Sequence, residues 1–93
     1  MTDRIWGNVV EVIDGDTFKI KVTRVGRDNQ YEYKDYERIR IERIDAPELP
    51  SSAGKRAKRG LERAIMDKFI RCDIRARDTY GRLICNVSIA KRS

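Results

Sequence analysis

Two short acidic segments contain the residues of this chain that could hold a metal ion. In the first, Asp14-Gly15-Asp16-Thr17 places two carboxylates two residues apart, at a predicted turn between strands. Carboxylate oxygens on a rigid backbone are the ligands that hard cations such as Ca²⁺ and Mg²⁺ prefer. An Asp-Gly pair is also among the strongest hairpin signals, so this segment alone favours an ordinary turn.

The second segment, Asp45-Ala46-Pro47-Glu48, follows an apolar strand pattern. Proline pushes the residue before it into an extended conformation and ends the strand. Asp45 is therefore expected at a strand end, and the carbonyl of Ala46 is left unpaired and available to a cation. Glu48 lies just beyond the strand, where a general base has room to move. A strand terminator with solvated acids explains the same residues equally well.

Two arginines could bind a phosphate beside these acids. Arg40 lies five residues before Asp45, so a regular strand would place them on opposite faces. The apolar phase slips by one residue before Ile44, which predicts a β-bulge or a sharp coil near residues 42–43 that returns Arg40 and Asp45 to one side. Arg82 follows a Tyr-Gly pair at a hairpin turn and could present a rigid fork to a phosphate, although a solvated hairpin residue explains it as simply.

The composition limits the chemistry to carboxylates, Arg, Lys and Tyr. The chain has no histidine, which excludes an imidazole base, nucleophile or metal ligand. Two cysteines cannot supply a four-ligand zinc site, and both fall on the apolar phase of their strands, which predicts buried free thiols. The 21 Lys and Arg against 15 Asp and Glu give a net charge of +6, which attracts polyanions such as nucleic acids.

The elements that must position these residues are five strands and one helix. Apolar alternation predicts strands over 5–13, from 17 onwards, over 36–45, over 70–77 and over 83–89. Tyr31 and Tyr33 alternate with charged residues, which predicts a second hairpin extending well beyond the barrel. Inward positions of the last two strands are predicted to be Cys72, Ile74, Ala76, Leu83, Cys85, Val87 and Ile89.

A helix is predicted after two prolines, capped by Ser51 or Ser52 and running to about residue 68. Its apolar stripe is Ala57, Leu61, Ala64 and Ile65, and its other face is basic. The order β-β-β-α-β-β, in one domain spanning 1–93, is the layout of a mainly β, five-stranded OB-fold barrel.

Three segments together, residues 12–17 (VIDGDT), 40–48 (RIERIDAPE) and 78–82 (DTYGR), resemble the signature segments of the staphylococcal nuclease (thermonuclease-like) family. That family hydrolyses DNA and RNA endonucleolytically with Ca²⁺, leaving 3′-phosphate and 5′-hydroxyl ends. The resemblance implies metal ligands, a supporting acid, a residue that activates or orients water, two phosphate-binding arginines and a residue near the nucleotide. The implied metal ligands are Asp16, Asp45 and the Ala46 carbonyl, with Asp14 as the supporting acid. Glu48 would activate or orient the water. Arg40 and Arg82 would bind the phosphate, and Tyr80 would lie near the nucleotide.

Several positions depart from the family pattern. Thr79, beside Tyr80 at a substrate-binding position, stands where the family usually has lysine, so one phosphate contact is lost. Arg43 replaces a small or apolar residue. The chain ends at Ser93, where the family prototype continues into further helices. One expectation is therefore a homodimer formed through the barrel end that those helices cover.

Two other functions fit parts of the sequence. A non-catalytic OB module that binds single-stranded nucleic acid would explain the charge and the tyrosines, but not the joint presence of the acids and arginines named above. A degenerate barrel used for protein contacts would be free to lose them.

No segment is long and apolar enough to span a membrane. The first residues lack a signal-peptide pattern, which leaves open a cytoplasmic protein or an exported one whose signal was removed.

Overall fold

Within residues 2–91, which the computed structural model describes, five strands close into a barrel in the order β1-β2-β3-β5-β4. A helix lies between the third and fourth strands. The elements are β1 (Asp3–Asp14), β2 (Thr17–Val25), β3 (Tyr36–Ile41), α1 (Ser52–Ile65), β4 (Phe69–Arg77) and β5 (Leu83–Ile89). The predicted mainly β, OB-like barrel with the order β-β-β-α-β-β is therefore confirmed.

Strand β1 closes the barrel because its first half, Asp3–Asn8, pairs with β4 while Ile5–Asp14 pair with β2. Both β2 and β4 run antiparallel to it, and register shifts interrupt its pairing with β2 at three places. Such β-bulges increase the bend and twist that a strand needs to curl around a small core. The remaining junction joins β3 to β5 in parallel. This junction brings the end of β3 next to the turn before β5.

The core consists of side chains on alternate positions of the strands, as the sequence pattern predicts. The side chains that are almost fully buried are Ile5, Val9, Phe18, Ile20, Ile39, Ile70, Cys72, Leu83 and Cys85. Both cysteines are free and buried, as predicted. The pKa of the Cys72 thiol is raised by its interaction with Cys85 and by burial, so it packs as an unreactive apolar group.

The predicted extension of the second hairpin is wrong. Residues 26–35 leave the sheet and fold back over the start of β1. The Asp3 carboxylate there accepts hydrogen bonds from the main-chain N–H of Gln30 (2.8 Å), the main-chain N–H of Tyr31 (3.1 Å) and the Tyr33 hydroxyl (2.6 Å). The hydrogen bond from Tyr33 is the main reason why the pKa of Asp3 is lowered. Two main-chain N–H groups and one hydroxyl of this segment thus bond to a distant carboxylate instead of to a partner strand.

The boundaries of β3 and α1 also differ from the predicted ones. Strand β3 ends at Ile41 instead of residue 45, because the chain turns at residues 42–43. Ser51 is the N-cap of α1, and its hydroxyl accepts a hydrogen bond from the Gly54 N–H (3.0 Å). The helix ends at Ile65 instead of about residue 68, because Met66 takes an extended ψ of 134° and Asp67 then takes a left-handed conformation (φ 62°).

Three residues predicted to face inward are exposed: Ala64, Ala76 and Ile89. A register shift between Ile74 and Ala76 changes the phase of β4 there, so Ala76 loses its inward position. Ile89 lies at the last position of β5 and is 62% exposed. None of the helices formed by residues 2–91 is both long enough and apolar enough to cross a membrane.

An ion pair between the buried Glu37 and the partly exposed Arg77 joins β3 to β4 and leads to a first prediction. Glu37 is 3% exposed and accepts from both terminal nitrogens of Arg77 (3.0 and 3.1 Å) and from the Lys34 N–H (3.0 Å). Glu37→Gln should lower the free energy of unfolding by about 2 kcal/mol, because the amide turns at least one donor toward the guanidinium. Urea unfolding measures this. The matched control Glu32→Gln changes an exposed acid, and an equal loss in both variants would contradict the prediction.

Candidate functional site

The first acidic segment forms the turn between β1 and β2. The Asp14 carboxylate accepts a hydrogen bond from the Asp16 N–H (3.0 Å), which closes the turn. A Cβ atom at Gly15 would lie 2.6 Å from the Cβ atoms of both Ala46 and Ala57. Only glycine fits there, so the turn lies directly against the second acidic segment and against α1.

Asp16 connects the two acidic segments. Its side chain is largely buried, with the whole residue 8% exposed. One carboxylate oxygen accepts from the Thr17 hydroxyl (2.9 Å) and the other from the Ala46 N–H (3.1 Å). This hydrogen bond therefore joins two segments that are 30 residues apart in the sequence.

Arg40 lies between two of the predicted acids. Its Nη2 is 2.6 Å from Oδ1 of Asp45 and 3.6 Å from Oδ2 of Asp16. Its Nη1 donates to the carbonyls of Ile41 and Ile44. The predicted sharp coil is confirmed: Arg43 takes a left-handed conformation (φ 67°), and the turn there brings Arg40 and Asp45 to the same side.

Arg82 reaches the same cluster from the turn before β5. Its Nε donates to Oδ2 of Asp78 (2.8 Å) and its Nη1 to the hydroxyl of Thr17 (3.2 Å). The guanidinium also lies over the ring of Tyr80, 5.3 Å from its centroid. Two guanidinium groups therefore approach the Asp16-Thr17 pair, one from β3 and one from the last hairpin.

The structure leaves two predicted site residues outside this network. The side chain of Glu48 is exposed and makes no hydrogen bond or ion pair within residues 2–91. Its carbonyl accepts from the hydroxyl of Ser51 (2.6 Å), so the backbone is held while the carboxylate is free. Thr79 is exposed on the turn. The predicted role of the Ala46 carbonyl as a ligand stays a prediction.

The two acids of the first turn have opposite pKa shifts. Burial is the largest influence on both, and it raises the pKa of Asp14, with the nearby Asp16 carboxylate raising it further. For Asp16, burial is outweighed by hydrogen bonds from Asp14, the Ala46 N–H and Thr17 and by the charge of Arg40, so its pKa is lowered. The two pKa shifts differ in direction because Asp16 has the hydrogen bond from the Ala46 N–H and the nearby charge of Arg40.

Sequence reasoning assigned no role to Thr17 or Asp78, although both position the arginine at 82. Thr17 is 2% exposed and bridges Asp16 to Arg82. Asp78 also accepts from the main-chain N–H groups of Tyr80 (3.0 Å) and Arg82 (2.8 Å). The sequence does contain a signal for the contact between Asp78 and Arg82: an Asp at the start of a tight turn, four residues before an Arg.

Burial would raise the pKa of Asp78, but the hydrogen bonds and charge of Arg82 outweigh it and lower the pKa below the usual 3.8. The Asp78–Arg82 contact therefore stabilises the fold fully when the pH is above the usual pKa of 3.8. Its contribution is lost as the pH falls through the lowered pKa of Asp78.

Comparisons with known proteins give a relative that this chain matches over part of its length. No protein-family model matches the chain. The chain is 32% identical over 90 residues to Protein ParB of Escherichia coli, a match that covers 92% of this chain and 45% of that protein. The chain thus spans less than half the length of this relative.

Proposed function

We propose that the chain is a Ca²⁺-dependent endonuclease of the staphylococcal nuclease type. It hydrolyses phosphodiester bonds of DNA or RNA and leaves 3′-phosphate and 5′-hydroxyl ends. One observation supports the proposal above all others. Arg40 and Arg82 approach adjacent residues, with Arg40 3.6 Å from the Asp16 carboxylate and Arg82 3.2 Å from the Thr17 hydroxyl.

The two arginines are suited to bind one phosphodiester group between them. Each presents planar N–H donors that match the oxygens of a phosphate. Both are partly exposed, with 20% and 24% of their side chains accessible, so a phosphate can reach them. Negative charge grows on the non-bridging oxygens during phosphoryl transfer, and preorganised donors lower the barrier most where that charge develops.

Glu48 is suited to accept the proton of the attacking water. The carboxylates of Asp14, Asp16 and Asp45 are each engaged in a hydrogen bond or an ion pair. The Glu48 carboxylate has no such contact within residues 2–91. As the water oxygen bonds to phosphorus, Glu48 takes its proton, the P–O5′ bond breaks, and the leaving oxygen is protonated by solvent to the 5′-hydroxyl.

The acids around Arg40 could hold a divalent cation together. Among residues 2–91, no three Cys, Asp or Glu side chains form a ready-made metal group. Asp16 and Asp45 nevertheless share the same nitrogen of Arg40, and an all-oxygen set of two carboxylates, a carbonyl and water fits Ca²⁺ better than Zn²⁺. When bound, Ca²⁺ would polarise a phosphoryl oxygen. Arg40 would then exchange its contact with Asp45 for the phosphate.

A metal-removal assay tests the proposal. The purified protein is incubated with single-stranded DNA, duplex DNA and RNA, first with Ca²⁺ and then with a chelator. We expect Ca²⁺ to support cutting, the chelator to abolish it, re-added Ca²⁺ to restore it, and the new 3′ ends to carry phosphate. Cutting that the chelator does not affect would contradict the proposed mechanism. Binding without cutting would instead favour a non-catalytic OB module.

A homodimer through the barrel end stays a prediction.

A further inference from the structure

A basic groove lies beside the site that the proposed function uses. The groove has a volume of about 660 Å³. Its main lining residues are Lys19, Lys34, Tyr36, Arg38, Arg77 and Tyr80. Strands β2 and β3, the segment before β3 that contains Lys34, the end of β4 and the turn before β5 supply these residues. We refer to it below as the basic groove.

The basic groove continues the site along the outer face of the barrel. In the pairing of β2 with β3, Thr17 lies opposite Arg40, and the next outward pair is Lys19 opposite Arg38. The residue between the two β2 positions, Phe18, is fully buried and faces the core. Successive outward-facing positions are two residues apart, so the two pairs are separated by about 6.6 Å along the strand. That step is on the scale of one nucleotide in an extended single strand.

Two exposed tyrosines give the basic groove flat surfaces. Tyr36 is 53% exposed and Tyr80 is 72% exposed. The carbonyl of Tyr80 accepts a hydrogen bond from Arg38, and its ring lies under the guanidinium of Arg82. Tyr80 therefore belongs to both the basic groove and the site. Exposed aromatic rings beside a row of cations are the usual means of stacking the bases of single strands.

The charge of the basic groove is strongly positive. The acid among its lining residues, Glu37, is already bound by Arg77. Lys19 is 3.5 Å from Glu11, but both side chains are well exposed, so the pair is weak and a phosphate can compete for the lysine. The side chain of Lys34 has no ion pair within residues 2–91.

We propose that the basic groove is a subsite for single-stranded nucleic acid. It holds the nucleotides next to the phosphate that Arg40 and Arg82 bind. The cations contact the backbone and the two tyrosines stack on unpaired bases. A duplex fits poorly, because its bases are already stacked on each other and turned away from the protein. The placement of this subsite beside the phosphate that is cut rests on the proposed function.

Binding without hydrolysis tests the subsite. Fluorescence anisotropy with a labelled octathymidylate, in a chelator and over a range of salt concentrations, gives the affinity and its salt dependence. Tyr36→Ala should weaken binding about tenfold with little change in the salt slope, and Tyr36→Phe should restore it. Lys19→Gln and Lys34→Gln should each reduce the slope of log K against log salt by about 0.7. The control Arg27→Gln removes an exposed charge outside the groove and should reduce the slope less.

The outcomes separate this inference from the proposed function. Unchanged binding by Tyr36→Ala, or a duplex bound as tightly as the single strand, overturns the subsite. If Ca²⁺ supports cutting while the groove variants bind normally, the nuclease proposal stands and the subsite fails. If the variants weaken binding but the wild-type protein never cuts, the subsite stands and the nuclease proposal fails. Thermal unfolding of each variant confirms that a loss of binding does not reflect a loss of fold.

Discussion

Glu48→Gln should lower kcat for phosphodiester hydrolysis by about 100- to 10,000-fold, the usual effect of removing a general base. Glutamine is isosteric but cannot accept the proton of the attacking water. The thermal unfolding midpoint should hardly change, because the Glu48 side chain is exposed and without a hydrogen bond or ion pair within residues 2–91. Initial rates on a single-stranded oligonucleotide with saturating Ca²⁺ measure the effect.

The matched control for this variant is Glu32→Gln, which makes the same change at an exposed position away from the acids. It should retain wild-type turnover. If Glu48→Gln cuts as fast as the control, Glu48 does not accept the proton. The exposed carboxylate of Asp45, 97% accessible, would then be the next residue to test.

Arg82→Ala should lower kcat by about 1,000-fold and Arg82→Lys by about 100-fold. Lysine keeps the charge but loses the planar fork, so it can contact a phosphate oxygen only as a point charge. Alanine also leaves the Asp78 carboxylate, 16% accessible, without its cation, so part of its effect will be on stability. Comparing kcat at a temperature well below each unfolding midpoint separates the two effects.

Two further variants define the role of Arg82. Asp78→Asn leaves the arginine in place but weakens the contacts that orient it, so kcat should fall by about tenfold while KM changes little. Arg63→Ala removes an exposed arginine from the last turn of α1 and should leave kcat at the wild-type level. Equal losses in Arg63→Ala and Arg82→Ala would show that net charge alone matters, and would contradict a specific phosphate contact.

Much of the barrel was predictable because strand alternation is a local property. Phe18 and Ile20 are fully buried, as their phase requires, and the free thiols of Cys72 and Cys85 lie in the core. The slip of the apolar phase before Ile44 correctly indicated that the chain turns between Arg40 and Asp45. In each case the information lies within a few neighbouring residues, where backbone geometry alone decides which side chains share a face.

Errors occurred where a distant partner decides the local structure. The alternating segment with Tyr31 and Tyr33 looks like a strand, but the carboxylate of Asp3, 28 residues from Tyr31, holds it against β1 instead. Ala76 lost its inward position to a register shift that depends on how β4 pairs with β5. Neither partner can be read from the residues around the segment itself.

The residue types and spacing establish which groups are available for chemistry: acids, arginines and no imidazole. Local patterns also establish the strands that carry them. Which of these groups meet was decided by tertiary structure. Arg82 reaches Thr17, 65 residues away, because the parallel pairing of β3 with β5 places the last hairpin beside the first turn. The basic groove exists for the same reason, since the closure of a barrel fixes which outer faces become neighbours.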